Sequence, residues 1–165
     1  MFLTTFTLVH VVISLLGIFS GFIVVFGLLT DKRLDGWTAL FLGTTVATSV
    51  TGFFFPVEHF MPSHAIGILS LLVLAVAIYA RYARHLAGKW RKSYVITAVV
   101  AFYFNVFVGI VQAFAKIPAL KDLAPTQSEA PFKVTQAVVL GIFIALAALS
   151  ALRFHDRSVS APPTT

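Results

Sequence analysis

Cysteine is absent from the 165 residues, which excludes disulfides, iron–sulfur clusters, thiolate zinc sites and covalently attached c-type haem. Charge is nearly as scarce. Asp, Glu, Lys and Arg make up 11% of the chain, against about 25% in an ordinary soluble domain, and only six residues are acidic. A soluble core of this size has no room for the 59% that are hydrophobic, so lipid is the expected solvent for most of the surface. Several catalytic signatures are missing as well: His-Glu-x-x-His, the phosphate-cradling Gly-x-x-x-x-Gly-Lys, the Gly-x-Ser-x-Gly elbow and any intramembrane pair of carboxylates.

What is present is a series of five runs without Asp, Glu, Lys or Arg, at 1–30, 36–57, 60–80, 93–115 and 134–152. A helix rises 1.5 Å per residue, so about 20 residues cross roughly 30 Å of hydrocarbon, and all five runs reach or approach that length. No run alternates apolar and polar residues as a membrane barrel strand would. The expected fold is therefore all-α: a single membrane domain over 1–157 with five spanning helices near 4–29, 37–55, 63–84, 94–115 and 133–152. The remaining tail, 158–165, is expected to be disordered. The first run has neither a basic n-region nor a short h-region, so it reads as a true helix and not as a secretory signal.

The formal charge is +6. In a soluble chain that would suggest nucleic acid; here the basic residues occupy the links between apolar runs, which sets orientation in a bilayer, and no nucleic-acid partner is expected. Lys32, Arg33, Arg81, Arg84, Lys89, Arg91, Lys92, Arg153 and Arg157 fall on one side, and Lys116, Lys121 and Lys133 on the other. The more basic side is cytoplasmic by this rule, placing the N-terminus outside and the C-terminus in the cytoplasm.

The outer turn between the second and third runs, residues 53–64, concentrates unusual chemistry. It holds Glu58 and His59 between Pro56 and Pro62, which end one helix and open the next, and His64 just after Pro62. On the first run, His10, Ser14, Gly17 and Gly21 share a face, and Gly17-x-x-x-Gly21 is a pattern for close helix approach. The second run carries Thr38, Thr44, Thr45, Thr48, Ser49 and Thr51, most of them on one broad arc, and the fourth aligns Asn105 and Gln112. Thr45, Thr48, Ser49, Asn105 and Gln112 are expected inside the bundle, where interhelical bonding is the commonest role for such groups. The inner loop 81–92 suits anionic head groups. Residues 118–124 suggest a short interfacial helix stopped by Pro125, and Thr126-Gln127-Ser128-Glu129 matches a capping box.

The stretches Gly52-Phe53-Phe54-Phe55-Pro56, Pro62-Ser63-His64 and Leu123-Ala124-Pro125-Thr126-Gln127-Ser128-Glu129 resemble those of a family of small, uncharacterised bacterial multi-pass inner-membrane proteins. The resemblance runs from His10 to the end of the last helix. It implies bacterial origin and an inner-membrane location, and carries over no activity and no site residues.

Three functions fit the residues. The bland one is a non-catalytic membrane subunit or assembly factor, partnered by the lipid bilayer, other membrane subunits or its own copies through its small-residue faces. The second is a cofactor site on the outer side. His10 and His64 would be axial ligands of one b-type haem, with Gly17 making room for the flat ring; alternatively Glu58, His59 and His64 would hold a divalent metal such as zinc or copper. The third is a small carrier or channel lined by the hydroxylated arc and Asn105.

Overall fold

The computed structural model describes residues 2–56 and 62–155. Every regular element among them is helical. Helix α1 spans Phe2–Leu29, α2 Asp35–Gly52, α3 Pro62–Ile78, α4 Lys89–Lys116, α5 Pro118–Leu123 and α6 Ala130–Arg153. A π-helical turn, Tyr79–Ala83, continues α3. Four of the helices are long and apolar enough to cross a membrane, over Thr4–Leu29, His64–Ala83, Lys89–Lys116 and Ala130–Arg153. This is a membrane-compatible helical bundle.

Helix α2 is not one of those four. Its charge-free run is 22 residues, but the helix has 18, because it ends at Gly52 with Phe53 as its C-cap and the chain turns at 53–55, directly ahead of Pro56. At 1.5 Å per residue that is about 27 Å, and its hydroxyls make the segment less apolar than its neighbours. The expectation of a second helix near 37–55 therefore shifts to 35–52.

Helix α4 is the axis of the bundle, in contact with α1, α3, α5 and α6 and more lightly with α2. Helix α2 lies between α1 and α3, which make no substantial contact with each other. The two glycines of α1 explain how α1 and α4 come close. A Cβ on Gly17 would sit 2.7 Å from Asn105 Nδ2, and one on Gly21 would sit 2.5 Å from the Phe102 ring. Asn105 and Phe102, three apart on α4, thus rest on bare backbone four apart on α1. Phe102 is also edge-on to Phe22 at 4.9 Å and Phe143 at 5.0 Å, joining α1, α4 and α6 in one apolar core.

Two expectations about the links fare differently. Helix α5 forms where Pro118 presets its first turn, with Leu123 exposed. The capping box is corrected. Gln127 adopts φ 57° and α6 begins at Ala130, so Glu129 itself occupies the N-cap position. Its carboxylate still accepts bonds from the Thr126 amide (3.2 Å), the Thr126 hydroxyl (2.8 Å) and the Ser128 amide (3.0 Å), tying the turn ahead of the helix.

Candidate functional site

Polar groups gather at three levels of the bundle. At the end bearing the 53–55 turn, His10 Nδ1 lies 2.7 Å from Thr51 Oγ1. The Thr51 hydroxyl donates to the Ala47 carbonyl oxygen at 2.6 Å, the back-bond usual for threonine in a helix. The imidazole packs edge-on against Phe55 at 5.0 Å, and Phe55 in turn meets Phe6 at 5.1 Å.

His64, in the first turn of α3, packs against Phe53 at 5.6 Å. Each candidate haem ligand therefore contacts a different phenylalanine of the same turn, and no ring contact joins His10 to His64. The space at Gly17 is also taken: the side chains of Asn105, Thr44 and Thr45 lie 2.7, 3.3 and 3.4 Å from where its Cβ would be. Gly17 makes room for an amide, and the expectation that it accommodates a flat ring is corrected. Glu58 and His59 lie outside the described residues. Among the described residues no three His, Asp or Glu side chains are grouped closely enough to hold a metal ion.

At the middle level Asn105 is 8% exposed and Thr45 is buried. Asn105 Nδ2 and the Thr45 and Thr48 hydroxyls, all shielded from solvent, make no hydrogen bond within the described residues. Ser49 donates to Ser70 Oγ at 3.2 Å, linking α2 to α3, and Gln136 Nε2 donates to the Phe107 carbonyl at 3.3 Å, linking α6 to α4. Gln112 is exposed, which corrects its assignment to the interior. It shares the Asn105 face by helical period but lies about two turns further along α4.

The third level, at the basic end, was not foreseen. Arg81, counted above as a loop cation, is 1% exposed. Its Nη2 donates to Asp35 Oδ1 and, at 3.3 Å, to the Arg33 carbonyl oxygen, so α3 is tied to the start of α2. Its guanidinium stacks 5.2 Å from the Tyr94 ring of α4. Arg33 Nε donates to the same Asp35 oxygen at 2.8 Å. Arg81 Nη1 and the Tyr94 hydroxyl are buried and make no hydrogen bond within the described residues. A signal for this burial existed in the sequence: Ser70, Leu74, Ala77 and Arg81 recur at spacings of 4, 3 and 4, one face of a helix, and the first three are buried. The π turn widens the ladder at this point, with Arg84 N bonded to the Tyr79 carbonyl at 3.0 Å.

The same end is closed by α6. Phe154, just past the helix, is buried beside Tyr94. The next amide, His155 N, donates to Asp31 Oδ1 at 2.7 Å, and Arg91 Nη1 donates to the His155 carbonyl at 3.1 Å. Asp31 of the α1–α2 link and Asp35 at the start of α2 thus both knit helix ends together. No protein-family profile, curated protein or solved structure matches this chain.

Proposed function

We propose that the chain is a non-catalytic membrane subunit or assembly factor of the bacterial inner membrane. It crosses the bilayer five times, with α2 as the fifth span, the N-terminus outside and the C-terminus in the cytoplasm. One observation carries the reading: at each of the three levels a polar side chain joins one helix to another. His10 is bonded to Thr51, Ser49 to Ser70, and Arg81 joins α2, α3 and α4. Such bonding sets register and orientation within a bundle. Outward, α1, α3 and α6 present large apolar residues, among them Phe19, Phe22, Leu72, Val138 and Ile144, to lipid or to partner helices. The Lys and Arg distribution supports the orientation.

The test is purification from membranes in a mild detergent, followed by mass determination of the intact particle and a visible spectrum before and after reduction. A particle containing several 17.9 kDa copies, or one stoichiometric partner, is expected. A sharp reduced haem band, or one equivalent of zinc or copper per chain, would replace this reading with a cofactor protein using His10, His64 and the turn between α2 and α3.

A further inference from the structure

We infer that the outer surface of the α3–α4 connection binds an anionic phospholipid, with its phosphate at Arg84, Lys89 and Lys92 and an acyl chain along α3. All three cations are exposed, and none makes an ion pair within the described residues. The acids described at this end are engaged elsewhere: Asp31 accepts from the His155 amide, and Asp35 from Arg33 and Arg81. The charge of the three cations is therefore left for a partner. Lys89 and Lys92 are three apart, on one face of the first turns of α4.

The connection is ordered before any ligand arrives. The Arg84 guanidinium lies over the Trp90 ring, 5.5 Å from its centroid, and Tyr79 meets the same ring edge-on at 5.2 Å. A guanidinium already held on an aromatic face loses less freedom when it takes up a phosphate. The turn beneath is pinned by Leu86, whose side chain is buried and whose amide donates to the Ala80 carbonyl at 3.0 Å. The Ala87 amide donates to the Arg84 carbonyl at 3.0 Å, and the Trp90 amide to the Ala87 carbonyl at 3.1 Å.

The outward face of α3 identifies the source of the phosphate as lipid. Leu69, Leu72, Val76 and Tyr79 are all exposed and recur at spacings of 3, 4 and 3, opposite the buried Ser70, Leu74 and Ala77. They form one apolar track that ends at Tyr79, against the Trp90 ring that carries Arg84. Ten residues at 1.5 Å each make it about 15 Å long, the hydrocarbon depth of one leaflet. A phosphate held at Arg84 thus leaves an attached acyl chain lying on this track. Tyr79 and Tyr82 are exposed where the track meets the cations, as aromatic residues at headgroup depth are.

The full chain carrying Trp37→Phe, in which Trp90 is the one remaining tryptophan, is reconstituted in phosphatidylcholine vesicles. The vesicles contain a small fraction of phosphatidylglycerol or phosphatidylcholine brominated on its acyl chains, and Trp90 quenching is read. Quenching that saturates at low phosphatidylglycerol content is expected. Its preference over phosphatidylcholine should fall on the order of fivefold for each cation removed in Arg84→Gln or Lys89→Gln/Lys92→Gln. These side chains are exposed, so folding does not hinge on them. Lys32→Gln, which removes an exposed cation of the α1–α2 link, should leave the preference unchanged. Equal quenching by the two lipids overturns the proposal. So does a loss as large in Lys32→Gln as in Arg84→Gln, which would make the preference a property of the diffuse basic surface. The preference should persist in millimolar inorganic phosphate; its loss there would assign the cations to free phosphate and overturn the lipid assignment.

Discussion

The guanidinium of Arg81, 1% exposed, is held by the carboxylate of Asp35, whose side chain is 70% exposed. The pair joins the end of α3 to the start of α2 across 46 residues of sequence. Its two members are not equivalent, because one is sealed in the bundle and the other faces water.

Removing the acid leaves a buried cation, whereas removing the cation leaves a solvated carboxylate. Asp35→Asn is expected to destabilise by about 2 kcal/mol, below the range for fully buried pairs because water reaches Asp35. Arg81→Met, which keeps the volume and removes the charge, is expected to cost less, under about 1 kcal/mol. Unfolding of the detergent-solubilised protein by denaturant titration measures both. An Arg81→Met variant less stable than Asp35→Asn would contradict the account.

The two close-approach glycines should also differ. A Cβ at Gly21 meets the Phe102 ring at 2.5 Å, and that ring is fully buried between Phe22 and Phe143. A Cβ at Gly17 meets the end of the Asn105 side chain, which can rotate. Gly21→Ala is expected to cost about 2 kcal/mol by overpacking and Gly17→Ala about half of that. The same titration decides, and equal losses would show that the Phe102 ring is free to shift.

Cysteine-free chains permit single-cysteine topology mapping without background. Cysteines at Phe54 and Gln127 are expected to react with an impermeant maleimide added outside intact cells, and cysteines at Lys32 and Gly88 only after permeabilisation. Labelling of Phe54 and Lys32 from the same side would remove α2 from the spans and leave four.

Glu129 lies outside the spans, and its hydrogen bonds, first that from the Thr126 hydroxyl, hold its carboxyl below its ordinary value of 4.5. A depressed folded value means that the turn is favoured above the ordinary value and loses that support as pH falls through the folded one. The Thr126 and Ser128 amides should therefore resist hydrogen exchange near neutrality and lose protection only below pH 4.5, while Glu129→Gln weakens protection at neutral pH. Protection unchanged in Glu129→Gln would refute the assignment.

Much of the bundle was legible from residue order because hydropathy, proline and small residues act locally. Charge-free runs located the long helices, Pro118 marked α5, and Gly17 with Gly21 marked the contact face of α1. The short reach of α2 was harder to read, since the charge-free run continues through Phe53, Phe54 and Phe55 after the helix has ended. Gln112 illustrates another limit: helical period gives the face but not whether each residue on it is covered.

The sequence by itself determined that these helices need an apolar solvent and where the cations collect. Only the tertiary structure decided which cation is buried. Arg81 and Arg84 look alike in sequence, three residues apart beside the same apolar run. One is enclosed because the π turn sets it against Tyr94 and because Asp35, far away in the chain, arrives to neutralise it. Burial of charge depends on such distant partners, since an isolated ion in the bundle would cost more than packing returns.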